Sequence, residues 1–162
     1  MPDYSKTQES EPTGGAPHFE FDFRRSREAF PHFWEHTVGG GHAPLALRAD
    51  WQAQMLRCHQ ELGFQHIRFH ALLSHEIGTL LCEENQLLYL FFNADQIVDF
   101  LLSIGMRPFV ELSFMPAALA SGSTTVFRYR GNVTPPKDYD QWAALIQKLV
   151  EHWVARYGAA EV

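Results

Sequence analysis

The run Gln65-His66-Ile67-Arg68-Phe69-His70 sets two imidazoles and a guanidinium at alternate positions, separated by Ile67 and Phe69. Successive side chains of an extended chain point to opposite faces, so His66, Arg68 and His70 share one face and the apolar pair the other. A strand inside a parallel sheet is ordinarily apolar on both faces. A basic, hydrogen-bonding face on such a strand therefore implies a polar interior that opens into a site. The run Arg107 to Ser113 repeats the pattern, with Pro108, Val110 and Leu112 on one face and Arg107, Phe109, Glu111 and Ser113 on the other. Arg68 and Glu111 are expected to meet in that interior. Such a pair either orients polar groups near a site or is a salt bridge at a sheet edge without ligand contact; neither role implies much stability.

Other groups of reactive side chains carry less. His66, His70, His75 and Glu76 are metal-ligand types, but their spacing crosses from strand into loop and fits no established ligand set, so no metal is expected. His32-Phe33-Trp34-Glu35-His36 is not His-Glu-x-x-His and reads as packed or exposed histidines. Gly39-Gly40-Gly41 lacks phosphate-binding spacing and is expected to turn the backbone into the rim of a site. Cys58, in a helical pattern, and Cys82, in a loop, read as free thiols.

The elements that must hold these residues are marked by glycine. Leu62-Gly63-Phe64, Ile104-Gly105-Met106 and Tyr157-Gly158-Ala159 each put glycine where a helix would end in a left-handed residue. Helical apolar spacing precedes each one, over Arg48 to Glu61, Asn93 to Ile104 and Asp138 to Tyr157. Asn93 and Asp138, each followed three residues later by glutamine, are the expected N-caps. Short strand-like runs follow the first two glycines, Phe64 to His70 and Met106 to Ser113, and a first strand is expected within Pro31 to Val38. The resulting strand–helix alternation predicts an α/β fold with parallel strands. Helix-to-strand joins are short, whereas Ala71 to Phe92 and Phe114 to Lys137 far exceed the roughly two to six residues usual for such connections. Long loops thus gather beyond the strand C-terminal ends, where parallel α/β folds build their sites.

Composition sets the outer bounds. The net charge of −6 is spread through the chain, with no basic stripe for nucleic acid and no polybasic patch for lipid. No apolar stretch approaches the ~18 residues that would argue a membrane span. Residues 1–30 read as a disordered or irregular lead-in without the apolar core of a secretory signal, which favours the cytoplasm. At 162 residues the chain falls short of the roughly 250 typical of a closed (β/α)₈ barrel.

Three motifs occur in family order and spacing: Trp34-Glu35-His36-Thr37-Val38-Gly39-Gly40-Gly41, Ile67-Arg68-Phe69-His70-Ala71-Leu72-Leu73, and Arg107 to Pro116 followed by Gly131-Asn132-Val133-Thr134-Pro135-Pro136-Lys137-Asp138-Tyr139. Together they resemble glycoside hydrolase family 39, of β-xylosidase and, more distantly, α-L-iduronidase type, from about Phe33 to Val162. The resemblance implies that residues 31–162 are the first three βα units of a (β/α)₈ barrel, ending before the fourth strand. It implies carbohydrate as partner and no cofactor. It places Arg68 beside the nucleophile, sets His70 on a hydroxyl of the glycone, and lets Phe114 and Met115 line the same mouth, with Glu111, Trp34 and His36 in support. The family's two catalytic glutamates, one in an Asn-Glu-Pro signature on the fourth strand and one on the seventh, have no counterpart here. No residue of this chain is therefore expected to be catalytic. A non-catalytic carbohydrate-binding protein or a self-associating half-barrel is the alternative. Departures from the family fall at Phe69 and Ala71, often glycine, and at His75-Glu76, where an Asp-Asp pair is common.

Overall fold

The computed structural model describes residues 18–20, 22, 24 and 29–162, in two units, Met1–Pro31 and His32–Val162. The lead-in expected over 1–30 falls largely outside the described residues; within it, Arg24 bonds the Asp22 carboxylate through its backbone N–H and its Nε. In the second unit, β1 (Thr37–His42), α1 (Ala49–Leu62), β2 (His66–His70), β3 (Leu80–Glu83), β4 (Gln86–Tyr89) and α2 (Phe92–Ser103) come first, followed by β5 (Arg107–Val110), β6 (Thr125–Val126), β7 (Gly131–Asn132) and α3 (Tyr139–Tyr157). The strands β1, β2 and β5 form a parallel sheet in that order, as the alternating pattern predicts.

The first strand departs from expectation. Phe33–Glu35 is a 3₁₀ turn, and the strand begins later and runs through the glycine triplet. Those glycines serve close approach instead of a turn. A Cβ on Gly40 would lie 2.6 Å from Ile67 Cδ1, so only a bare backbone lets the core isoleucine press against β1. The pairing with β2 slips between Gly39 and Gly41, a bulge that Gly41 accommodates at φ +75°.

The core lies on the apolar side of the sheet. Ile67 and Phe69 are buried among Ile97 and Leu101 of α2 and Leu145, Leu149 and Trp153 of α3. Alternation along β2 thus sends one face into the helix layer and leaves the other open. Asp138 caps α3 by accepting from the N–H groups of Asp140 and Gln141. Asn93, by contrast, is no cap: α2 starts one residue earlier, after Phe91, and the Asn93 amide donates to the Ile77 carbonyl, tying the helix to the preceding loop. Gly63 ends α1 in the left-handed conformation, but Gly158, at φ 89° and ψ 152°, ends α3 in an open one. Helices α2 and α3 are joined by Asp95, which accepts from His152 at 2.8 Å and Trp153 at 3.2 Å, and by Asp99, which accepts from Arg156 at 2.6 Å and Tyr157 at 2.9 Å.

Both long connections contain structure of their own. The first carries the hairpin β3–β4, closed by Glu84 and Asn85 at φ 49° and 63°, the left-handed pair that matches strand twist in a two-residue turn. Cys82 therefore sits in a strand and not in a loop, while both cysteines are free thiols. The second connection carries the short pair β6–β7.

Candidate functional site

In the β1–β2 register, His42 lies opposite His70 at the strand C-terminal ends, their ring centroids 5.9 Å apart. The loop between β6 and β7 delivers Tyr129 onto both. Its ring stacks on His42 at 4.0 Å and 18°, and its hydroxyl lies 2.7 Å from His70 Nε2. Phe114, just past β5, meets His70 edge-on at 6.0 Å, and Phe127 lies 6.3 Å from the same imidazole. Gly131 packs under the Phe114 ring with no room for a Cβ, so the ring's position depends on that glycine.

The β2 end is fixed by the next strand's loop. Ala71 holds φ +68°, a conformation that costs a non-glycine residue about 1–2 kcal/mol. It is buried, and its N–H donates to Ser113 Oγ at 3.0 Å, while Leu73 N–H donates to the Ser113 carbonyl. The glycine often found here in the resembling family would adopt this turn without strain.

Beside the histidines opens a cleft of about 560 Å³, lined by Glu76, Phe114, Met115, Tyr129, Arg130 and Asn132 among others. That volume suits a small ligand, and the wall mixes aromatic faces with a few polar groups, as such sites do. Glu76 Oε2 comes within 2.9 Å of His42 Nε2, a charge contact that lacks hydrogen-bond geometry. Burial holds His42 below the ordinary histidine value of 6.5, against the opposing pull of Glu76. Burial and then Glu76 push the Tyr129 phenol up.

The depressed His42 predicts a pH effect of definite sign. Below 6.5 the unfolded chain takes up a proton at this residue more readily than the folded chain, so stability falls as pH drops through that value. Urea denaturation at pH 8 to 5 should show a steeper loss for the wild type than for His42→Phe, which keeps the ring and removes the titration.

The expected site residues divide into two groups by position. Phe114 and Met115 line the cleft, and His70 adjoins it through Phe114 and Tyr129. Arg68 and Glu111 pair at 2.9 Å, as strand parity requires, but their side chains are 59% and 33% exposed; the pair lies on the open face of the sheet and not in a dry interior. Trp34 and His36 lie at the other end. His36 stacks on His66, and Trp34 on His32, where β1 and β2 begin. At roughly 3.3 Å per residue, His66 is about 13 Å from His70 along the strand, so this group is not brought to the cleft. His42, Tyr129 and Phe127 belong to the cluster although the sequence reading did not single them out. A strand drawn through the glycine triplet would have placed His42 opposite His70; nothing comparable marks Tyr129 within its loop.

The strand ends thus gather imidazoles, aromatic rings and a carboxylate beside an open cleft, at the end of the sheet where parallel α/β folds place their sites. The chain belongs to glycosyl hydrolase family 39, whose family model matches residues 18–162. It is 53% identical over 131 residues to a β-xylosidase of Caldicellulosiruptor saccharolyticus, covering 80% of this chain and 27% of that protein. A β-xylosidase of Geobacillus stearothermophilus is 44% identical over 140 residues, covering 84% and 28%. The crystal structure of a monomeric β-xylosidase from Caulobacter crescentus superposes with a TM-score of 0.78 at 36% identity, over 86% of this chain and 28% of that one. The chain thus spans a little over a quarter of the length of these relatives.

Proposed function

We propose that this chain forms the first three βα units of a (β/α)₈ barrel of β-xylosidase type and supplies one wall of its glycone-binding subsite, without turnover of its own. The observation that carries the reading is a cleft lined by Phe114, Met115 and Tyr129 at the C-terminal end of a parallel sheet, the end where barrels bind substrate, with His70 in contact with Phe114 and Tyr129 of its wall. His70 offers a planar group able to donate to or accept from a sugar hydroxyl. Phe114 offers an apolar face to the ring carbons. Arg68, held by Glu111, presents a guanidinium with N–H groups to donate on the same open face of the sheet. None of the carboxylates Glu76, Glu111 and Glu35 is assigned a covalent or acid role: Glu76 lies against His42, Glu111 against Arg68, and Glu35, at the far end of the strands, against His32.

A titration of the chain with xylose, followed by NMR, tests the proposal. Shifts confined to the cleft residues are expected, and His70→Ala should abolish them while leaving the far-ultraviolet circular dichroism unchanged. Shifts that survive in the variant, or none in the wild type, would count against a sugar-binding wall. The self-associating half-barrel remains a second reading because an apolar groove of about 260 Å³ runs along β5, lined by Val98, Leu102, Pro108, Val110 and Leu112.

A further inference from the structure

The Tyr129 hydroxyl makes one hydrogen bond among the described residues, the 2.7 Å contact with His70 Nε2. A phenol keeps its proton well above neutral pH, and burial here raises that threshold further. The hydroxyl hydrogen needs an acceptor. Glu76 acts on Tyr129 electrostatically but makes no hydrogen bond with it, so among the described residues the acceptor on offer is the imidazole nitrogen. A neutral imidazole that accepts at Nε2 carries its hydrogen at Nδ1. Among the described residues, His70 Nδ1 has no hydrogen-bond partner, which leaves that N–H for a ligand.

We propose that Tyr129 is a positioning residue that fixes His70 as its Nδ1–H tautomer, so that the ring meets a sugar hydroxyl as a donor. The tyrosine is itself held on several sides. It stacks on His42, lies 5.2 Å from Phe127 and 6.2 Å from Phe114, and its loop is closed by the β6–β7 pairing. A ring so confined keeps its hydroxyl on one nitrogen, and that choice sets which hydroxyl orientations of a pyranose the histidine satisfies. The ligand half of this inference rests on the sugar-binding reading of the cleft; the tautomer half does not.

Long-range ¹H–¹⁵N spectra of the labelled 162-residue chain, with the His70 ring assigned through His70→Gln, give the test. Nδ1 should resonate in the protonated range and Nε2 in the unprotonated range. Tyr129→Phe keeps the aromatic stack and removes the donor, and should shift His70 toward the Nε2–H tautomer that isolated imidazoles prefer. A wild-type His70 protonated at Nε2 overturns the proposal whether or not the variant folds. Unchanged ring nitrogens in a folded variant, checked by its melting temperature, overturn it too. In a xylose titration the variant should bind about three- to tenfold more weakly, the loss of one oriented hydrogen bond. Equal binding by both proteins would refute the positioning role. A wild type with the expected tautomer and no affinity for xylose would instead refute the sugar reading of the cleft, and with it the ligand half of the proposal.

Discussion

Offered an aryl β-xyloside, the 162-residue chain is expected to release no nitrophenol above the uncatalysed rate. Retaining glycosidases need one carboxyl group to protonate the leaving oxygen and a second, about 5 to 5.5 Å away, to attack the anomeric carbon. The family resemblance places the first in an Asn-Glu-Pro signature, and that tripeptide does not occur in these 162 residues. The carboxylates that lie nearest the cleft have other work. Glu76 abuts the half-buried His42, and Glu111 neutralises Arg68. Imidazole and aromatic contacts hold a substrate, but they form no covalent intermediate and supply no acid of the required kind. The expected rate is therefore at least about 10⁶-fold below that of a complete family member, since enzymes of this efficiency owe at least that factor to the assembled site. Continuous measurement of nitrophenol at high protein concentration checks it, with Glu76→Gln and Glu111→Gln as controls. Turnover that either substitution abolishes would place an active site within these residues.

What the sequence disclosed of this architecture follows from where local physics is decisive. Helix ends were legible because glycine at Gly63 and a capping aspartate at Asp138 act within one turn of the chain. Strand parity was legible because a period of two needs no tertiary knowledge, and it separated Ile67 and Phe69 from Arg68 correctly. The first strand was misplaced because a glycine triplet reads as a turn on local grounds. Its true role, the close approach of Ile67 to Gly40, is a contact between residues far apart in sequence. Asn93 failed as a cap for a related reason: its amide finds the Ile77 carbonyl, a partner that only the folded loop supplies. The site followed the same division. His70 was found through the strand that carries it, whereas Tyr129 reaches His70 from 59 residues away by way of a loop with no periodicity to read.

The chain on its own is expected to self-associate, through the open face and the edges of its parallel sheet. Among the described residues β1 and β5 of the three-stranded sheet each have one unpaired side, and an unpaired parallel strand is a template for another chain. The flanking surface is apolar as well. Phe109 is 58% exposed on the open face and Leu112 43% exposed at the groove along β5, where Val150 of α3 also contributes. Covering one such aromatic side chain is worth about 1.5–3 kcal/mol, and a symmetric contact that covers Phe109 of both copies and pairs the open edges sums several such contributions against the cost of association. Phe109→Lys should weaken the association constant by about tenfold or more, because it removes that burial and sets like charges against each other across a symmetric contact. Sedimentation velocity over a hundredfold range of concentration reads the effect directly, with binding of a hydrophobic dye as a second measure. A chain that stays monomeric throughout, leaves the dye dark and melts in one sharp transition would show that the apolar side of the sheet suffices as a core. The open face would then be a finished surface and not a missing wall.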